Sequence, residues 1–189
     1  MPPFQLHLRS ALRRAHSLAH DDGVSVSLPG VRFAGRLAQE EASVVRLLFH
    51  AVRQDDIRHY WSGNECCEGC VDNSMPIIHR IESLVRLTRS ALGPAVSPVC
   101  RVLLASLSDS IREFREYLRQ FTPDNVRHLP WGDGSRENYL VAMRLLRDHL
   151  ISTLRQLALL LGDDVAAHDF PSRNQLWHER AYAVLAAAD

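Results

Sequence analysis

The sequence predicts an all-α protein, a helical bundle of about six helices with one small β-hairpin near residues 23–35. Three observations predict it. Apolar residues recur every three or four positions along most of the 189 residues, as they do when one face of a helix is buried. Gly and Pro gather at a few places between those stretches, where chain reversals belong. One segment, 98–121, carries a heptad seam of the kind that packs along neighbouring helices.

Residues 4–19 place Leu8, Leu12, Ala15 and Ala19 on one stripe, with Arg9, Arg13 and Arg14 mostly off it. The period then drops to two in 23–35. Val24, Val26 and Leu28 face one way, Ser25 and Ser27 the other, and Pro29-Gly30 turns the chain. Two strands alone are marginal in water, so this hairpin must lie on helices. Helical spacing resumes over 37–61 through Val44, Val45, Leu48, Phe49 and Val52.

A cysteine-rich loop follows. Ser74 then offers an N-cap and Pro76 a first-turn proline for a helix running to about Leu92, where Gly93-Pro94 stops it. Ser97-Pro98 repeats that start signal. In the next helix Cys100, Leu104, Leu107, Ile111, Phe114, Leu118 and Phe121 alternate spacings of four and three, and REFREYLR (112–119) reads as an exposed flank of paired charges. A turn-rich loop at 122–135 leads to a helix from Ser135 through Tyr139, Met143, Leu146, Leu150, Leu154, Leu157 and Leu161, ended by Gly162. A last helix is expected at 173–187. Neither a repeat nor a linker divides the chain, so a single helical domain over 1–189 is expected.

The bulk numbers exclude several functions. Formal net charge is zero, so no overall field draws nucleic acid or anionic membrane. Near-neutrality favours association, which makes another protein, or a second copy in a homo-oligomer, the expected partner. All 22 basic residues are arginine. Arginine stays charged, so Schiff-base, amine-base and P-loop lysine chemistry are excluded. A GC-rich coding sequence explains this bias and suggests a bacterial or viral source; avoidance of lysine-directed tagging in a host cell also fits. The first residues mix apolar and basic side chains and are not a secretory signal. No apolar run reaches membrane-spanning length, so a cytoplasmic protein without membrane contact is expected.

The unusual local chemistry is NECCEGC at 64–70. Zinc takes four ligands, usually thiolate and imidazole. His59, Cys66, Cys67, Cys70 and His79 could supply them where two helices meet, so zinc is the cofactor to test. A redox dithiol of Cys67 and Cys70 is a second reading, although Glu65 and Glu68 would raise the thiol pKa. A loop with incidental cysteines is the third. Cys100 lies on the heptad seam and reads as a small buried hydrophobe. His149 adjoins the Leu146 and Leu150 stripe and reads as a satisfied, half-buried histidine. No nucleophile elbow, Gly-rich phosphate loop or paired Glu-x-x-His motif occurs, so no catalytic residue is assigned.

Arg80, Arg86 and Arg89 share one helix, but acids offset them, which disfavours nucleic acid. Trp61, His128 and Trp131 sit at loop edges and are the expected partner contacts, since exposed tryptophan often anchors interfaces. The expected function is a non-enzymatic helical protein–protein interaction module. A metal- or thiol-dependent protein using the 59–79 corner is the alternative, and a nucleic-acid-binding helical protein a further one.

Overall fold

A computed structural model of the chain describes residues 4–21, 37–54, 68–119 and 135–162. Among these residues the protein is all-helical. The elements are α1 (Phe4–Asp21), α2 (Gln39–Gln54), α3 (Glu68–Leu92), α4 (Pro98–Arg119) and α5 (Ser135–Leu161), and a 3-10 turn, Gly93–Ala95, joins α3 to α4. The hairpin expected at 23–35, the end of the helix expected to reach 61, and the last helix at 173–187 lie outside the described residues.

Helix α4 is the hub, packing against α1, α3 and α5. The seam explains part of this, for Cys100, Leu104, Leu107, Ile111 and Phe114 are all fully buried. Val102, Leu103, Ser106, Ser110 and Tyr117 are buried as well, on the other sides of the same helix. A central helix must bury more than one stripe, because it has neighbours in more than one direction.

Helix α1 runs antiparallel to α4. At one end Phe4 meets Phe114 edge-on at 5.4 Å and tilts against Tyr117 at 5.4 Å. At the other, Ala15 and Ala19 pack on Val102. Ala11, Ala15 and Ala19 recur every four residues, so a row of methyl groups lets this face lie close to α4. Polar contacts seal the seam. Arg14 donates to Asp109 at 3.1 Å and to Glu113 at 2.7 Å, and His7 Nδ1 lies 3.3 Å from Glu113. Partial burial works against the Arg14 charge, but these carboxylates outweigh it and raise its pKa further.

Helix α2 buries Val45, Leu48, Phe49 and Val52 and packs on α3. The chain entering it is pinned to the end of α5 by Leu37 N–H donating to the Leu160 carbonyl at 3.2 Å. In α5 the expected stripe holds: Tyr139, Met143, Leu146, Leu150, Leu154 and Leu157 are buried. Gly162 ends α5 at φ +69° and Gly93 ends α3 at φ +63°, the left-handed conformation in which glycine meets no Cβ clash.

The start of α3 corrects the sequence reading. The helix begins at Glu68, not at Ser74, and Pro76 lies inside it. Proline there removes one backbone hydrogen bond, to the carbonyl four residues back. A cap-like serine is only a local preference, which a continuing helix overrides.

Candidate anion-binding groove

Helices α3 and α4 form an antiparallel helical hairpin with a short connector. Their outward-facing sides leave a groove of about 900 Å³. From α3 come His79, Glu82, Ser83, Arg86, Arg89 and Ser90, spaced by three or one, which is one face of a helix. From α4 come Arg101, Leu104, Ser108, Asp109, Arg112 and Arg115, again one face. Gly93, Pro94 and Val96 close the hairpin end.

The groove carries five arginines, namely 86, 89, 101, 112 and 115, against the two acids Glu82 and Asp109. That is a concentrated positive excess on a chain whose formal net charge is zero. The acids are not spread evenly. At the open end Glu82 accepts from Arg115 Nη1 at 3.0 and 3.3 Å, and His79 Nδ1 lies 3.8 Å from the same carboxylate. Midway, Asp109 pairs with Arg112 at 3.1 Å and with Arg14 of α1 at 3.1 Å. Arg86 and Arg89, nearer than Glu82 to the hairpin end of α3, are exposed and meet no carboxylate among the described residues. Arg101 is partly buried and donates to the Val96 carbonyl at 3.4 Å.

Of the residues expected to bind metal, His59, Cys66 and Cys67 lie outside the described residues. Because α3 begins at Glu68, Cys70 and His79 share one helix. Nine residues apart, their Cα atoms are separated by about 13.5 Å along the axis and roughly half a turn around it. His79 lines the groove and lies 3.8 Å from Glu82. Among the described residues no three His, Cys, Asp or Glu side chains gather as metal ligands. The expected partner contacts Trp61, His128 and Trp131 also lie outside the described residues.

Cys100 is buried with 0% exposure, and its thiol is pushed up to about 12 by burial and by the nearby Glu41 carboxylate. A thiol so held is neither nucleophile nor ligand. His149 is fully buried rather than half-buried, and its Nε2 lies 3.0 Å from Ser106 Oγ. A hydroxyl beside an imidazole resembles half of a hydrolytic site. Here the two are 3% and 0% exposed inside the core, where no substrate reaches them, so the pair joins α4 to α5 structurally.

The α4 side of the groove escaped the sequence reading. Arg112 and Arg115 read there as a solvated flank. The usable signal was the short connector 93–97: it forces α3 and α4 to be antiparallel neighbours, which brings two arginine-bearing faces together. Among the described residues no helix is long and apolar enough to cross a membrane. No protein-family model, curated protein or solved structure matches this chain.

Proposed function

We propose that this protein is a non-enzymatic helical interaction module that holds an acidic segment of a partner protein in the α3–α4 groove. The observation carrying this reading is the local excess of arginine in a cavity of about 900 Å³, on an otherwise neutral chain. Such a volume admits several side chains of a bound segment, and the partly exposed, apolar Val96 offers it a surface to bury against. Guanidinium groups supply fixed charge and forked donors for carboxylates.

The two acids favour a polypeptide over nucleic acid. Glu82 and Asp109 interrupt the cationic track, which would repel a continuous phosphate backbone. A peptide with separated acidic side chains can place them between those acids.

The test is anisotropy of a labelled acidic helical peptide titrated with the full chain, beside a single-stranded DNA oligonucleotide of similar length. Peptide binding should weaken with salt and fall about tenfold in Arg86→Ala/Arg89→Ala, the loss of two charge-assisted contacts. A peptide that fails to bind, or an oligonucleotide that binds tighter than any acidic peptide, would remove the reading.

A further inference from the structure

We infer that the part of this groove nearest the hairpin connector is a subsite for a phosphorylated side chain, a phosphoserine or phosphothreonine within the bound segment. The inference rests on the reading that the groove holds a partner protein. It adds the chemistry of the residue recognised there.

The arginines of the groove are not all paired with acids. Arg115 is answered by Glu82, and Arg112 by Asp109. Arg86 and Arg89 are answered by no acid among the described residues. They sit three apart on one helix, so their guanidinium groups can reach one ligand. A carboxylate brings one negative charge and would leave one of the two unmatched. A phosphate monoester brings about −1.5 to −2 at neutral pH and three acceptor oxygens, which matches two arginines. Two forked guanidinium groups can each take a pair of those oxygens.

Hydroxyls complete the set. Ser108 of α4 lines the groove. Ser90 follows Arg89 on α3 and also lines the groove. Both can donate to a phosphate oxygen. Backbone dipoles do not decide the matter, because the C-terminal end of α3 and the N-terminal end of α4 meet here with opposite sign. The field at this end is therefore set by the arginines. A phosphate fills only a small part of about 900 Å³, so the rest is left for the flanking residues of the segment.

The experiment titrates the full chain with three labelled acidic peptides that differ only at a central serine, glutamate or phosphoserine. The phosphopeptide should bind at least about tenfold tighter than the serine peptide, with glutamate between them. Arg86→Ala or Arg89→Ala should erase that preference while leaving the helical dichroism unchanged. Arg86→Lys/Arg89→Lys, which keeps charge but loses the fork, should reduce it. Glu82→Gln should leave the preference in place. Equal binding of the serine and phosphoserine peptides overturns the subsite and leaves the groove reading standing. No binding of any of the three overturns both. Displacement of the phosphopeptide by inorganic phosphate or adenosine monophosphate at comparable concentration makes this a small-anion site and overturns the protein source.

Discussion

Glu82 on α3 and Arg115 on α4 meet across the groove, with Arg115 Nη1 3.0 Å from one carboxylate oxygen and 3.3 Å from the other. The two side chains are 31% and 38% exposed, so this is a solvent-screened pair worth at most about 1 kcal/mol. Its larger effect is on the groove, where it occupies a cation that an acidic ligand would otherwise use. Glu82→Gln should therefore leave the unfolding midpoint nearly unchanged and tighten binding of an acidic peptide by about threefold, a modest gain from one freed arginine. Weaker binding in this variant would mean that Glu82 positions Arg115 for the ligand rather than competing with it.

Glu41 ties two helix starts together. One carboxylate oxygen accepts from the Ala38 N–H at 3.2 Å, just ahead of α2, and the other accepts from the Ser97 N–H, just ahead of α4. Ser97 in turn caps α4 with its own hydroxyl, which accepts from the Cys100 N–H at 3.4 Å. Glu41 is only 7% exposed, which limits replacement of its carboxylate by water. Glu41→Gln turns an amide NH₂ toward one of two donors and should lose about 2 kcal/mol; Glu41→Ala strands both and should lose about 3 kcal/mol. Urea unfolding with an unchanged slope measures this. A Glu41→Gln loss below about 0.5 kcal/mol would show that the joint contributes little.

Ser106 and His149 make a polar contact between α4 and α5, 3.0 Å apart. Removing the hydroxyl alone takes this contact from a buried imidazole, so Ser106→Ala should lose about 1–3 kcal/mol. Replacing both groups with apolar ones removes the stranded polarity. Ser106→Ala/His149→Leu should then lose less than the sum of the single changes, with a coupling of about 1 kcal/mol. Strict additivity in urea melts would mean that the two groups do not depend on each other.

What the sequence made legible divides along a physical line. The seam residues of α4 from Cys100 to Phe114, the stripe of α5 from Tyr139 to Leu157 and the glycine stops at 93 and 162 follow from local spacing and backbone geometry and are found where expected; Leu118 and Leu161 are partly buried, and Phe121 lies outside the described residues. Signals that compete locally misled. Ser74 and Pro76 read as a helix start, yet α3 extends back to Glu68. The groove was half legible, since Arg86 and Arg89 stood out as basic residues sharing one helix. Its other half needed the tertiary step that lays Arg112 and Arg115 opposite them, and a single-helix reading places those two in solvent. Glu41 was illegible for the same reason: it gives no sign in sequence that it caps a helix start 56 residues away.

Cys100 makes the burial of the α4 seam measurable through pH. Its thiol is raised from 9.0 to about 12 in the folded protein, chiefly by burial, with the Glu41 charge adding to it. In the unfolded chain the thiol ionises near its ordinary value. Above about pH 9 the unfolded state therefore sheds a proton that the native state keeps, and stability falls as pH rises toward about 12; below that window the contribution is fully present. Cys100→Ala lacks this term and loses about 1 kcal/mol from the small void it leaves. The stability gap between wild type and Cys100→Ala should then shrink as pH climbs above about 9, by at most about 1.4 kcal/mol per pH unit. Paired urea melts across that range measure the gap. A gap that stays constant up to about pH 10.5 would mean that the thiol ionises alike in both states, which a fully enclosed seam residue cannot do.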